Sequence, residues 1–265
     1  MAPQFTWFKR LLARGGKPNR RMPAIPAGHR VYAIGDIHGR ADLLAQLHRQ
    51  IQGDAANAPE GFKKTIIHLG DYVDRGLDSM GVIDLLLTAP LDDFESICLK
   101  GNHEDTLIRF LEDPSLGPGW FAIGGDATVL SYGIRIPAGL TSTQYFEYAW
   151  KEFRTLVPQD HWEFLASLQL MHQIGDYVFV HAGIKPGVPL EQQDPEDLMW
   201  IRGEFLGSKL AHEKVVVHGH MLKSQPDIQA NRIGIDTGAF ATNVLTCIVL
   251  EGVTQRFLST APRPV

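Results

Sequence analysis

The sequence predicts an α/β protein, and two observations carry that prediction. In the first third, short apolar runs alternate with amphipathic helical patterns, and each run stops abruptly in polar residues beside glycine. From Leu170 onward short strand-like runs dominate, and no repeat, low-complexity segment or linker divides residues 31–258. The composition agrees. With 44% hydrophobic and 21% charged residues over 265 positions, the chain has the balance of a soluble globular protein, not of collagen, a coiled-coil rod or a disordered polymer. It is long enough to bury a core without disulfide or metal staples.

The elements follow in chain order. Residues 1–30 carry Lys9, Arg10, Arg14, Lys17, Arg20, Arg21 and Arg30 and no acid, which leaves 18 bases against 30 acids, or −12, for the body. This arm reads as flexible, broken by Pro18, Pro23 and Pro26. Its alternative reading is a membrane-surface helix, with Phe5, Trp7, Phe8, Leu11 and Leu12 making weak contact with an anionic surface. Val31–Ile34 is a strand ending in Gly35-Asp36-Ile37-His38-Gly39, followed by a helix with Leu43, Leu44, Leu47 and Ile51 on one face. Thr65–Leu69 ends in Gly70-Asp71-Tyr72-Val73-Asp74-Arg75-Gly76, with a helix carrying Met80, Ile83, Leu86 and Leu87. Phe94–Leu99 runs into Gly101-Asn102-His103-Glu104 and a helix carrying Leu107, Phe110 and Leu111. Residues 141–168 form a helical, aromatic-rich insertion broken at Pro158. Strands are expected at 170–173, 177–180, 214–217, 232–235, 244–250 and 255–258, with a helical stretch at 196–205 and a tail at 259–265.

No stretch is long enough to span a bilayer, and the arm lacks the apolar run of a signal peptide. The two cysteines, Cys98 and Cys247, sit in apolar strands without metal-binding spacing, so they read as core residues of a protein in a reducing, cytoplasmic compartment. A formal charge of −5 gives no reason to expect nucleic-acid binding.

Five strands end in Asp, Asn or His beside Gly, the later ones at His181-Ala182-Gly183 and His218-Gly219-His220. Ligands of open α/β sheets bind beyond the carboxyl ends of strands, where glycine lets the backbone turn and a ligand approach. One such end is an ordinary turn, but five point to a site.

GDIHG, GDYVDRG and GNHE, in that order, resemble the motifs of the calcineurin-like metallophosphoesterases and, more narrowly, the phosphoprotein phosphatase branch. The later HAG, WIR and HGH elements resemble its compact bacterial and phage lambda-type members, and the similarity spans roughly residues 30–258. The resemblance implies a four-layer fold, with two mixed β-sheets packed together, flanked by helices, and an active site at strand C-terminal ends. It implies two divalent ions, Mn²⁺ foremost with Fe or Zn²⁺ as alternatives. Asp36 and His38 would hold the first, Asp71 would bridge both, and Asn102, His181 and His220 would complete the second. Oxygen and imidazole donors without thiolate suit those ions, and one shared carboxylate fixes such a pair about 3.5–4 Å apart. A water deprotonated there would attack phosphorus in line. By the same resemblance Arg75 and Arg202 bind the substrate phosphate beside Asn102, and His103 protonates the leaving oxygen with Asp74 as its partner.

Alternatives remain beside these roles. Asp74 and Arg75 could form a surface ion pair, Arg202 could be a solvated helix residue, and His218 competes with His220, with support of the ligands as its expected part. His68 reads as a hydrogen-bonded core histidine. Asp236, in Ile235-Asp236-Thr237-Gly238, is expected to order a turn. The SAPNYC element of eukaryotic phosphoprotein phosphatases is absent, so their regulatory subunits are not inferred. The leading expectation is a phosphatase of phosphoserine and phosphothreonine in proteins, with phosphotyrosine also open. The alternatives are a dinucleoside polyphosphate hydrolase, which shares the core and whose segments, like those of protein phosphatases, resemble Trp120-Phe121, Gly124-Gly125 and Ser131-Tyr132-Gly133, and a silent binding module.

Overall fold

Alternation along the strands decides the architecture. In β1 (His29–Ile34), Val31 and Ala33 point to one side while Tyr32 and Ile34 point to the other, and all four are fully buried. A strand buried on both faces must lie between two layers. The computed structural model describes residues 22–261, and both sides of β1 are covered there.

Sheet one has the order β10-β9-β1-β2-β3. β2 (Lys63–His68) and β3 (Phe94–Cys98) run parallel to β1. β9 (Thr246–Glu251) and β10 (Thr254–Ser259) close the other edge antiparallel. Parallel neighbours need crossovers; α1 (Ala41–Ala55) and α2 (Ser79–Thr88) provide them. Sheet two has the order β4-β5-β6-β8-β7, built from Met171–Ile174, Tyr177–Val180, Val215–His218, Asp227–Ile228 as β7, and Arg232–Gly234 as β8.

The sheets face each other across Val31, Ala33, Ile67 and Leu69 from one and Tyr177, Phe179, Val217 and Ile233 from the other. The opposite face of sheet one packs Tyr32, Ile34 and Ile66 under α1, α2, α3 (Asn102–Glu112) and the helical insertion. The opposite face of sheet two packs Val178, Val180 and Val216 under α8 (Pro195–Trp200) and α9 (Gly203–Gly207). The result is four layers, helix–sheet–sheet–helix, as the family resemblance implies.

The insertion consists of α6 (Ser142–Leu156) and α7 (Gln159–Ser167), parted at Pro158 as expected. Before it lie two short helices, α4 (Gly117–Ala122) and α5 (Gly125–Ser131), that no periodicity announces. A last short helix, α10 (Ala239–Thr242), follows β8. The helical stretch expected at 196–205 breaks at Ile201-Arg202, and β7 was not expected at all. His68 is buried as expected and meets His48 Nε2 to Nε2 at 3.3 Å; burial pushes their pKa values down to about 3 and about 4. Cys247 is buried, whereas Cys98 is only partly so, and both thiols are free.

The expected arm of residues 1–30 needs a correction. Residues 1–21, with the apolar positions proposed for membrane contact, lie outside the described residues, as do 262–265 of the expected tail. Residues 22–30 belong to the body: His29 and Arg30 open β1, and Ile25 is buried between the sheets. Ile25 N–H donates to Gly252 O at 2.9 Å, and Ala24 N–H donates to the Asp176 carboxylate at 2.9 Å. At the other end Ser259 closes β10 and Thr260 is buried, its N–H donating to Leu245 O at 3.0 Å. Ile25→Ala is expected to cost about 2–4 kcal/mol in chemical denaturation, the cost of a buried aliphatic truncation. A loss below about 0.5 kcal/mol, the size of an ordinary surface change, would contradict the packing of this segment.

Candidate metal centre and active site

The loops after β1, β2 and β3 and those after β5 and β6 converge where the two sheets meet. Asp71 stands at the centre. His38 Nε2 and His103 Nε2 lie 3.4 and 3.8 Å from its Oδ2, and His181 Nε2 lies 3.4 Å from its Oδ1. Two donor groups result, His38–Asp71–His103 and Asp71–His181–His220, each within 4.8 Å, and they share Asp71. Asn102 Oδ1 joins the second group, 2.9 Å from both His181 Nε2 and His220 Nδ1. Asp36 lies beside it, its carboxylate accepting the His220 backbone N–H at 2.9 and 3.1 Å.

The chain bends sharply to do this. Among the described residues, five of the seven non-glycine positions with positive φ are His38, Asp71, Asp74, Arg75 and His220. Each such backbone costs about 1–3 kcal/mol and persists only where neighbours hold it. At Asp71 the holding is done by Glu104. Fully buried at the start of α3, its carboxylate accepts N–H groups from Gly101, Asp71, Tyr72 and Val73 at 2.8–3.2 Å. Gly101 lets this happen: a Cβ there would collide with the Asp71 carboxylate and its backbone nitrogen. Sequence reasoning quoted Glu104 within GNHE and gave it no part; its spacing three residues after Gly101 was the available signal.

The donor chemistry fits cations. Burial holds His38 and His181 well below the usual imidazole range, His181 down to about 4, so each is neutral with a single N–H. His38 Nδ1–H donates to Val73 O and His181 Nδ1–H to Leu69 O, both at 2.9 Å. The His181 Nε2 lone pair therefore faces the oxygens of Asp71 and Asn102, and that of His38 faces Asp71 while taking an N–H from Arg75. Lone pairs opposed at these distances call for a cation between them. The carboxylates agree. Burial, reinforced by Asp236 and Asp71, raises the Asp36 pKa well above its ordinary value; burial pushes Asp236 up to about 6 and Glu104 up to about 7. Such a buried acidic cluster gains from positive charge.

Arg75 and Arg202 are exposed and stand at the mouth. Arg75 Nη1 donates to His38 Nε2 and Nη2 lies opposite His103 Nε2, at 3.0 Å each, and its guanidinium lies 4.9 Å from the Phe240 ring. It forms no ion pair with Asp74 among the described residues, so the surface-pair alternative fails. Arg202 sits at the break between α8 and α9, not on a helix face, and its Nε–H donates to His220 Nε2 at 3.1 Å. His103 Nδ1 meets the buried Asp74 Oδ2 at 2.7 Å. Burial opposes a charge on His103, but Asp71 and Asp74 prevail and raise its pKa.

His218 does not support the ligands as expected. It faces Gly219 O at 3.0 Å and packs edge-on against Phe205. Asp236 orders its turn as expected, accepting Gly238 N–H at 2.8 Å. Arg40 was not anticipated; it donates to Ala239 O and Asn243 Oδ1 and so fixes the α10 turn that carries Phe240.

Two layers of sheet with a carboxylate-centred imidazole cluster at their common edge define a metallohydrolase. The match to the calcineurin-like phosphoesterase family covers residues 29–233, and the chain belongs to that family: it is a phosphoester hydrolase that uses divalent metal ions. A bis(5'-nucleosyl)-tetraphosphatase PrpE of Anoxybacillus flavithermus is 24% identical over 81% of this chain and 88% of its own. A serine/threonine-protein phosphatase 2 of Salmonella typhimurium is 25% identical over 82% of this chain and 90% of its own. A solved cold-active protein tyrosine phosphatase shares the fold with a TM-score of 0.56, at 16% identity over 89% of this chain and 81% of that one.

Metal analysis of purified, reloaded protein is expected to approach two ions per chain, and Asp71→Asn is expected to lower the content of both. A tight stoichiometry of one with full activity would contradict the shared carboxylate.

Proposed function

We propose that the chain hydrolyses phosphomonoesters of serine and threonine side chains in proteins, with Asp36, His38, Asp71, Asn102, His181 and His220 holding two divalent ions, Mn²⁺ foremost. The observation that carries the reading is the His103–Asp74 pair, whose Nε2 faces the Arg75 fork and Asp71. A phosphomonoester with a serine alkoxide leaving group needs a proton at the departing oxygen, and this pair supplies one beside the phosphate-binding arginine.

When bound, the ions supply positive charge and a water acidified near neutral pH. Arg75 and Arg202 hold phosphate oxygens in planar, bidentate fashion, and the exposure of both guanidinium groups leaves them free to turn from their histidine partners to substrate. Neutral Asn102 adds an oxygen without adding negative charge. His103, whose pKa Asp71 and Asp74 raise against its burial, gives its Nε2 proton to the leaving oxygen as the P–O bond breaks, and Asp74 keeps Nδ1 protonated and the ring aligned.

A second reading, asymmetric cleavage of dinucleoside tetraphosphates, is favoured by the similarity to the Anoxybacillus bis(5'-nucleosyl)-tetraphosphatase. The two free cysteines support a reducing cytoplasm as the working compartment. The basic residues of the first 21 positions supply no site residue and are assigned at most weak contact with anionic surfaces.

The deciding experiment compares phosphoserine, phosphothreonine and phosphotyrosine peptides with diadenosine tetraphosphate on the Mn²⁺-loaded protein. The highest kcat/KM is expected for the phosphoserine and phosphothreonine peptides; a higher value for the dinucleotide would transfer the assignment. His103→Asn is expected to lower kcat on the phosphoserine peptide by about 10²–10⁴-fold with metal content intact. Its defect should shrink on nitrophenyl phosphate, and equal defects on both would remove the acid role.

A further inference from the structure

The segment from Gly117 to Ser131, α4 and α5, supplies no ligand and no phosphate contact, yet it lies directly behind the leaving-group pair. Asp74 is completely buried, and no lysine or arginine pairs with it among the described residues. Its carboxylate is instead satisfied by neutral donors from this segment. Trp120 Nε1–H reaches Oδ1 and Oδ2 at 3.1 and 3.0 Å, and Thr128 Oγ1–H reaches Oδ1 at 2.6 Å. A bifurcated indole N–H on one side and a hydroxyl on Oδ1 leave Oδ2 aimed at His103 Nδ1.

The same segment holds the strained corner on which Asp74 and Arg75 sit. Thr128 Oγ1 also accepts Asp74 N–H at 2.8 Å, Gly124 O accepts Arg75 N–H at 3.1 Å, and Ser131 Oγ accepts Met80 N–H at 3.1 Å. Asp74 and Arg75 have φ of 71° and 66°. The contact is so close that two positions must be glycine. A Cβ on Gly124 would stand 2.8 Å from Arg75 N and Cγ, and one on Gly125 would enter the Trp120 indole. The rest of that indole is socketed among Phe110, Phe121 and Phe153, so its one polar atom is directed at Asp74.

We infer that α4–α5 is a positioning element for leaving-group protonation, in which Trp120 and Thr128 fix the Asp74 carboxylate against His103 while Gly124 seats Arg75. The inference rests on the acid role proposed for His103. It gives the Trp120, Gly124-Gly125 and Ser131 motifs a task in the reaction common to protein phosphatases and dinucleotide hydrolases, whichever substrate the chain takes.

The test uses the full-length, Mn²⁺-loaded protein with phenyl phosphate, a poor leaving group, and 2,4-dinitrophenyl phosphate, a good one. Trp120→Phe keeps the ring and removes the N–H; Thr128→Val keeps the shape and removes the hydroxyl; Thr128→Ser restores it. Each of the first two is expected to lower kcat on phenyl phosphate about tenfold, a part of the full general-acid effect, and on dinitrophenyl phosphate less than about twofold. KM and metal content should hold, and Thr128→Ser should stay near the parent. In a His103→Asn background the same substitutions should cause no further loss, because they act through that residue. Equal losses on both substrates, or a full additional loss in the His103→Asn background, would reduce the segment to a structural support. If His103→Asn discriminates between the leaving groups and neither Trp120→Phe nor Thr128→Val does, the positioning role alone falls. If His103→Asn itself does not discriminate, the acid role falls and this inference with it. Two independent positions keep the test readable should one variant fail to load metal.

Discussion

The site depends on one fully buried carboxylate. Glu104 gathers four backbone N–H groups from the ends of two parallel strands, three from the β2 loop and one from the β3 loop. A hydrogen bond to a charged group is worth about 1.5–3 kcal/mol, which is enough to hold the left-handed turn at Asp71 against its strain. Tyr72 adds a second tie across the same gap, its hydroxyl donating to Leu99 O at 2.8 Å. With the β2 loop fixed, Val73 O and Leu69 O lie where His38 and His181 need an acceptor, and that sets both tautomers. The direction of the metal-facing lone pairs is therefore a property of the backbone.

The chemistry is divided between the sheets. Sheet one brings Asp36, Asp71 and Asn102, the proposed oxygen donors, together with His38 and the His103–Asp74 pair. Sheet two brings His181 and His220 and, through the break before α9, Arg202. The first donor group, His38–Asp71–His103, comes wholly from sheet one and the second, Asp71–His181–His220, draws on both, so the apolar interface that packs Val31 and Ile67 on Phe179 and Val217 also assembles the second group. Burial then keeps His38 and His181 neutral and the carboxylates short of solvent, which is the electrostatic condition for binding cations.

Much of this was legible in the sequence because it is written in contiguous motifs at strand ends. Asp36, His38, Asp71, Asn102, His181 and His220 all arrive at one place, and the alternation of runs with helical patterns gave the first sheet and its crossovers. What was not legible acts across long separations or without periodicity. Trp120 and Thr128 reach Asp74 from 46 and 54 residues away. The helix that carries Trp120 is the short, glycine- and proline-containing GPGWFA, which offers no amphipathic period to read. The break at Arg202 was hidden because apolar residues at helical spacing flank it on both sides. The basic arm was drawn too long because Ile25 docks through a single apolar side chain and two backbone contacts, below any pattern a sequence displays.

The central claim is that Asp71 is shared by two cations at the common edge of the sheets. Anomalous diffraction from crystals of the Mn²⁺-loaded protein tests it directly. Two peaks are expected, one beside His38 and the other beside His181 and His220, with Asp71 in contact with both. A single peak, or a pair of which only one touches Asp71, would contradict the account.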